Sequence, residues 1–215
     1  MISLNSYHPT NALLDGLTNF SDDIKAAKEQ GYSGLVFKTN NIEDVKKAKE
    51  LGFKEFRKTV IGTSTVSHLK SNPRTSLAAD ELSVSQKGYF YKYFIKHYKN
   101  SHLVNPPMKF STEDIEQLTF NDPSMNQYSS RFYFDKEGIS GYLIIFDDGK
   151  DYELGWVGVK NEIVLSSLWN DFKNSARNGA LITGEFDSTD SSATKLLEID
   201  DFEIEDMIYS LIFSF

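Results

Sequence analysis

The chain has 215 residues, of which 40% are hydrophobic and 13% aromatic, so it carries enough apolar material for a packed core. Its formal net charge is −8 and its Lys and Arg residues form no cluster, which argues against nucleic acid as a partner. The absence of cysteine excludes disulfides, thiolate zinc sites and cysteine nucleophiles. No apolar run approaches the ~18 residues of a membrane span, and the N-terminus lacks a signal-peptide pattern, so we expect a cytoplasmic protein with no membrane association.

The N-terminal part predicts alternating helices and strands, namely helix 21–31, strand 35–37, helix 41–52 and strand 53–60. Ser21 and Asn41 are good helix caps, because their short side chains can accept a hydrogen bond from a free backbone N–H. Gly31 and Gly52 are good helix stops.

The next part of the chain is less regular. Residues 62–86 predict a connector that includes the turn signal Asn72-Pro73 and a strand near 65–69. Aromatic residues at helical spacing then predict a helix over 89–98. This aromatic stripe is typical of core packing, although it could also line a pocket for an acceptor molecule.

The C-terminal part predicts a β-meander followed by alternating helices and strands: helix 112–118, strands 131–134, 139–146 and 151–159, helix 164–172, strand 181–186, helix 190–199 and extended segment 202–215. The pair Asp148-Gly149 is a strong hairpin signal, because these residues accept the positive φ angles of a tight turn. Gly179 is expected to end the helix before strand 181–186.

The two ends of the chain share one order of elements: helix, Gly, strand, capped helix, Phe, strand. Asn41 is followed eleven residues later by Gly52, and Asp190 eleven residues later by Asp201, and a Phe comes next in both copies. A tandem duplication explains this pattern, and so does chance, because this order of elements is common in α/β proteins.

This order resembles the closing half of the GNAT superfamily of N-acetyltransferases. That family carries Asn-x-x-Ala at the start of a helix and Gly-Phe after it, and Asp190 to Ala193 and Asp201-Phe202 stand at the matching places. The resemblance implies an α/β fold with a mixed sheet, in the GNAT-like acyl-CoA N-acyltransferase arrangement. It implies a partial GNAT-like N-terminal half-domain (1–62), a connector (63–85) and a GNAT-like domain (86–215).

The resemblance also implies acetyl-CoA as the acyl donor. Backbone groups of Val157 and Val159 would hold its pantetheine arm, and Lys160 and Asn161 would lie near its pyrophosphate. The chain departs from the family at the loop 160–165, which has no glycine.

Two further residues depart from the family pattern. Glu162 brings a negative charge to the phosphate site, and Leu197 stands where the family often has a tyrosine as general acid. Both departures put family-style binding and catalysis in question.

Glu153 lies on the strand where the family often carries its general base. A partly buried carboxylate there could take a proton from a substrate ammonium before the amine attacks the thioester. The alternative is an ordinary outward-facing glutamate of a β-strand.

Asp187 and Asp190 belong to a run of oxygen-bearing side chains at the end of a predicted strand, where ligands bind in open α/β sheets. They could bind a substrate amine, or Asp190 could act only as a helix cap. The four histidines have no metal-binding spacing, so we expect no metal site.

These patterns favour an N-acetyltransferase that transfers an acetyl group from acetyl-CoA to a small-molecule or peptide amine. The alternative is a non-catalytic GNAT-fold binding or regulatory protein that lost the pyrophosphate loop. The segment 202–215 supplies one strand where the family has two, so the missing strand would come from the N-terminal part or from the second subunit of a homodimer.

Overall fold

The computed structural model describes residues 1–6, 8–69 and 74–215. The strands of this part are β1 (Ile2–Ser3), β2 (Asn11–Leu14), β3 (Gly34–Thr39), β4 (Lys54–Thr65), β5 (Leu77–Ala78), β6 (Arg131–Asp135), β7 (Gly138–Asp147), β8 (Tyr152–Val159), β9 (Leu181–Asp187) and β10 (Glu203–Ser214). Its helices are α1 (Phe20–Glu29), α2 (Ile42–Glu50), α3 (Val84–Ser101), α4 (Thr112–Leu118), α5 (Glu162–Ser175) and α6 (Ser191–Ile199).

All these strands belong to one sheet, in the order β1-β2-β3-β10-β4-β9-β8-β7-β6-β5. Two neighbouring pairs are parallel, β2 with β3 and β8 with β9, and the other pairs are antiparallel. A parallel pair needs a crossover connection, and α1 and α5 supply the two crossovers. The predicted α/β class with a mixed sheet is confirmed.

The two ends of the chain exchange their last strands at the centre of the sheet. Strand β4 lies between β9 and β10, and β10 lies between β3 and β4. The strand that the C-terminal part lacks therefore comes from the N-terminal part of the same chain. The division into units 1–62, 63–85 and 86–215 stays a prediction, as does their origin by duplication.

Several predicted helix ends agree with the structure. Asn41 caps α2 by accepting the Glu43 N–H at 2.9 Å, and Asp190 caps α6 by accepting from Ser192 N–H at 2.8 Å. The capping prediction for Ser21 is wrong, because α1 begins at Phe20 and Ser21 lies inside its first turn.

Other differences concern short or long strands. The predicted strand near 65–69 is wrong, because β4 is longer than expected and ends at Thr65. Strand β2 was not predicted, since its four residues are too few for a periodic pattern. The predicted turn at Asn72-Pro73 lies outside the described residues.

The sheet carries helices on both faces. On β7, Leu143 and Ile145 pack with α5 and α6, whereas Tyr142 and Ile144 pack with α3 and α4. Helices α1 and α2 pack against β3 through Leu35 and the alternate residues of that strand. The α3 face of the sheet is thus left partly uncovered over β3, β10, β4 and β9. Among the described helices, none is both long and apolar enough to cross a membrane.

Candidate active site

Strands β8 and β9 separate at the centre of the sheet. They pair in parallel through only three residue pairs, from Tyr152 with Ile182 to Leu154 with Gly184, and no further pair joins these two described strands. Beyond this point β9 continues alongside β4, whereas β8 continues alongside β7. A V-shaped cleft therefore opens at the carboxyl ends of the two parallel strands, where ligands bind in open α/β sheets.

A β-bulge at Gly155 marks the base of this cleft. Ile144 pairs with Trp156 and Ile145 with Leu154, which leaves Gly155 without a partner on β7. A Cβ atom at this position would overlap the ring of Phe146, so any other residue would force that ring to move. The bulge re-aims the strand that follows it, and bulges are common beside active sites.

The backbone of β8 presents one free N–H to the cleft. The Val159 N–H points away from β7 and donates to Ser192 Oγ at 3.1 Å, and the Lys160 N–H donates to the Ser140 carbonyl beside β7. Because N–H groups alternate along a strand, the Val157 N–H points to the same side as that of Val159. The Val157 N–H thus has no hydrogen-bond partner among the described residues, whereas the N–H of Val159 is already used.

A cavity of about 390 Å³ lies in the cleft, on the face of the sheet that carries α3. Its lining includes Val157, Asp187 and Asp190, so the structure brings these three predicted site residues together. The sequence did not indicate the other polar residues that line it, among them Lys38, Arg57, His97, His102 and Ser210.

Three polar side chains meet where α3 faces the cleft. His97 Nδ1 lies 3.1 Å from the Tyr142 hydroxyl, and His97 Nε2 lies 3.4 Å from Asp190 Oδ1. Burial raises the pKa of Tyr142 well above its ordinary value, and the charge of Asp190 adds to the shift, so the hydroxyl keeps its hydrogen. The hydroxyl can therefore donate to Nδ1, and in that tautomer the ring hydrogen lies on Nε2, towards Asp190.

A second group of polar residues lies on β4 and β9. Arg57 Nη1 donates to Asp187 Oδ2 at 2.8 Å, and the Thr59 hydroxyl donates to Asp187 Oδ1. Arg57 Nη1 also lies 3.2 Å from His102 Nε2. Burial lowers the pKa of His102 to about 4, so the ring is neutral near pH 7 and can accept this hydrogen bond.

The start of α5 is where the family resemblance expects the pyrophosphate. Asn161 caps the helix by accepting the Val164 N–H at 3.0 Å, and Lys160 Nζ lies 3.4 Å from an Asp135 carboxylate oxygen. Glu162 forms an ion pair with Lys195. Both predicted binding side chains, Lys160 and Asn161, thus already have partners within the protein.

Glu153 does not line the 390 Å³ cavity. It is an exposed residue of β8 and lines a neighbouring depression on the same face, with three acidic residues of the β7–β8 hairpin. Glu185 lines both the depression and the cavity, so the two are adjacent. The Glu153 carboxylate has no hydrogen-bond or ion-pair partner among the described residues. Within the same residues, no three His, Asp or Glu side chains are grouped so as to hold a metal ion.

Comparison with known proteins agrees with this geometry at the level of the fold. No model of a known protein family matches the sequence, and no curated protein matches it. Many solved structures do match, and they show that the chain has the fold of the GNAT N-acetyltransferases. The fold that the sequence resemblance predicted is therefore confirmed.

Three solved structures illustrate the similarity. A GCN5-related N-acetyltransferase from Sphaerobacter thermophilus has a TM-score of 0.64 at 10% identity, over 99% of this chain and 76% of that one. A conserved protein of unknown function from Staphylococcus epidermidis has a TM-score of 0.58 at 15% identity, over 95% and 83% of the two chains. A GCN5-related N-acetyltransferase from Anabaena variabilis has a TM-score of 0.54 at 12% identity, over 90% of this chain and 48% of that one.

Proposed function

We propose that this protein is an N-acetyltransferase that transfers an acetyl group from acetyl-CoA to an amine of a small molecule or a peptide. The observation that carries the proposal is the cleft between β8 and β9, which opens after three residue pairs beside a bulge at Gly155. A GNAT fold can hold an extended thioester in such a cleft, with a cavity on one face of the sheet for the acceptor.

The open edge of β8 fits the acyl donor. The Val157 N–H is a free donor beside the bulge, and it can bind a carbonyl oxygen of the extended donor or of its acetyl group. Backbone N–H groups at the start of α5 favour the phosphates, because the helix dipole is positive there. For Lys160 to contact a phosphate, its ammonium must leave Asp135 and Glu137, which are exchangeable surface partners.

Glu153 remains our candidate for the general base. Its carboxylate has free lone pairs and lies beside the cleft, whereas both nitrogens of His97 face other groups of the protein. In this reaction the substrate ammonium loses a proton to Glu153, directly or through one water molecule. Acetyl-CoA supplies the thioester that the neutral amine attacks, so that a C–N bond forms, the C–S bond breaks and CoA leaves as a thiolate, which takes the second proton that the amine nitrogen loses.

Asp187 and Asp190 are our candidates for binding the ammonium. One oxygen of Asp190 accepts two N–H groups of α6, which fixes the carboxylate at the edge of the cavity. His97 holds the same oxygen from the other side and is a positioning residue. Asp187 is already paired with Arg57, so it contributes negative potential more than a free binding site.

A non-catalytic binding or regulatory role is the second candidate function, and two observations favour it. Ser192 Oγ occupies the Val159 N–H, which the family resemblance assigns to the pantetheine arm. The side chain of Leu197 packs against the core and offers no proton to the leaving thiol. In this alternative the cleft would hold a ligand without chemistry.

Acetylation of a panel of amines tests the proposal, with released CoA thiol as the readout. The chain has no cysteine, so a thiol reagent detects CoA without background from the protein. We expect turnover, and we expect Glu153→Gln to lower kcat by about 10²–10⁴-fold, the usual contribution of a general base. Glu203→Gln makes the same change at an exposed glutamate of β10 and should leave kcat unchanged.

Each other outcome identifies the part that fails. Unaltered kcat in Glu153→Gln, together with a large loss in His97→Gln, would move the base to the histidine. Absence of both turnover and calorimetric heat at millimolar acetyl-CoA would overturn the enzyme proposal. Binding of acetyl-CoA without turnover of any amine would favour the non-catalytic alternative.

A further inference from the structure

Three polar side chains form a row across neighbouring strands on the floor of the cavity. In the backbone register, Ser210 of β10 lies opposite Lys38 of β3 on one side and opposite Arg57 of β4 on the other. All three residues line the cavity. The row therefore places one cation on each side of a hydroxyl, on the same face of the sheet as the predicted ammonium site.

Part of the hydrogen-bonding capacity of this row is not used by the described residues. Ser210 is fully buried, and its Oγ has no hydrogen-bond partner among the described residues. The buried Nε of Arg57 is likewise without one in the described part of the chain. Buried polar groups are normally paired, so an unpaired set in a cavity wall points to an absent ligand.

The chemistry of the row favours an anion. Lys38 is an exposed residue that lines the cavity, and it forms no ion pair with any described residue. Partial burial lowers the pKa of its ammonium below the ordinary value and the charge of Arg57 lowers it further, whereas the charges of Asp187 and Glu185 act in the opposite direction. An anion beside both cations would relieve this repulsion. The nearby rings of His8 and His102 have pKa values that burial lowers, so they add no positive charge near pH 7.

The opposite side of the cavity is acidic. Glu185, Asp187 and Asp190 lie there, next to the cleft. Asp187 accepts from Nη1 of the Arg57 guanidinium, whereas the Nε of the same group has no partner among the described residues. The cavity is thus polarised, with carboxylates beside the cleft, Lys38 on β3 at the other side and Arg57 on β4 between them. A molecule with an amine at one end and a carboxylate at the other matches this distribution.

From this arrangement we propose that the acceptor is an amine that also carries a carboxylate, which binds the row of Lys38, Ser210 and Arg57. This inference rests on the proposed acetyl transfer for its reaction, but the binding site does not depend on it. Because Arg57 already donates to Asp187 of β9, the separation between amine and carboxylate is set by Ser210 of β10, which lies two strands from β9, about 10 Å at the usual spacing of sheet strands. The amine and the carboxylate are therefore separated by a chain of several atoms, unlike those of an α-amino group beside its own carboxylate.

A series of ω-amino carboxylates, from glycine to 8-aminooctanoate, measures this separation. Each compound is compared with the n-alkylamine of the same chain length, in the CoA-thiol assay and in calorimetric titrations without acetyl-CoA. We expect one optimal length, and at that length a kcat/KM at least ten-fold above that of the alkylamine. Equal kcat/KM values for amines with and without the carboxylate would overturn the inference.

Two variants test whether the preference for a carboxylate depends on the row of Lys38, Ser210 and Arg57. Ser210→Ala and Lys38→Met should each weaken binding of the optimal amino carboxylate by about ten-fold, since each removes a hydrogen bond to a charged group. Their effect on the alkylamine should be small. Lys54→Met removes an exposed lysine of β4 that does not line the cavity and serves as the matched control.

Charge reversal gives a test that loss of folding cannot imitate. Lys38→Glu should weaken binding of the amino carboxylate and strengthen binding of the α,ω-diamine of the same length. The order of affinities of the two ligands should therefore invert. An unchanged order would contradict the assignment of Lys38. Amino-carboxylate binding without any acetyl transfer would refute the proposed function and leave the anion site intact. Acetyl transfer at equal rates with and without a carboxylate on the amine would refute the anion site and leave the proposed function intact.

Discussion

The partly buried His102 should make the protein less stable in mild acid. Its ring lies against Arg57, with 3.2 Å between Nη1 and Nε2, and its Nδ1 lies 2.8 Å from the Tyr98 carbonyl oxygen. The Nδ1–H donates to this carbonyl, so Nε2 must stay unprotonated to accept from the guanidinium. A proton on Nε2 would place two cations in contact, which burial makes worse.

The size and pH range follow from the two pKa values. The pKa of His102 in the folded protein is about 4, against the ordinary histidine value of 6.5, which we take for the unfolded chain. Above pH 6.5 the ring is neutral in both states and has no effect on stability. As the pH falls from 6.5 towards 4, the unfolded chain binds a proton that the folded protein does not, so the free energy of unfolding decreases. Between pH 7 and pH 5 the loss is about 2 kcal/mol, and about 1 kcal/mol after allowance for water that reaches part of the ring.

Urea unfolding at several pH values between 7 and 4.5 measures this loss. His102→Gln can keep both hydrogen bonds without titrating, so its free energy of unfolding should fall by about 1–2 kcal/mol less than that of the wild type over this range. His68→Gln, at a ring that contacts the Ala176 carbonyl, is the control. Burial lowers the pKa of His8 as well, and its ring stacks on His102 at 5.0 Å, so it contributes a smaller loss in the same direction. If His102→Gln and the wild type lost equal stability, the reasoning would be refuted.

Two other predictions concern stability and use the same urea assay. Asp171→Ala should lower the free energy of unfolding by about 3 kcal/mol. The buried Asp171 carboxylate accepts the Ser76 N–H at 2.8 Å, and its removal leaves this N–H unpaired. A loss below about 1 kcal/mol would contradict this prediction. Gly158→Ala should lower the free energy of unfolding by about 1–3 kcal/mol, since a Cβ there lies 2.6 Å from the Tyr142 ring. Gly88→Ala in α3 places a Cβ with no atom within 4 Å, so it should raise the free energy of unfolding by about 0.5–1 kcal/mol. Equal effects of the two glycine substitutions would show that close packing at Gly158 is not what matters.

Local signals predicted most of the elements. Gly52 and Gly149 have φ angles of +94° and +92°, so the helix stop and the hairpin could be identified from glycine alone. Asn41 and Asp190 cap helices as their side chains allow. These features depend on neighbours in sequence, which is why the sequence is sufficient to find them.

The exchange of strands depends on contacts between distant parts of the chain. Strand β4 pairs with β9 and β10, more than a hundred residues away, and neither turn chemistry nor periodicity specifies such partners. The sequence indicates that the C-terminal part lacks a strand, but it does not determine whether the N-terminal part or a second subunit supplies that strand. The structure supplies the strand from the N-terminal part.

The site was predicted in part for the same reason. Val157, Asp187 and Asp190 lie at strand ends that a family resemblance can locate, and they do line one cavity. Lys38 and Arg57 come from the N-terminal strands, and their approach to Ser210 results from the strand exchange. A signal did exist in the sequence, since Arg57 and Thr59 alternate along the predicted strand 53–60 and so share one face.

Binding of acetyl-CoA in the cleft between β8 and β9 is the central claim, and amide chemical shifts test it most directly. A titration of isotopically labelled protein with acetyl-CoA should shift the amide resonances of Gly155 and Val157 most, together with those at the start of α5. Shifts confined to other parts of the sheet, or none at millimolar acetyl-CoA, would contradict the account.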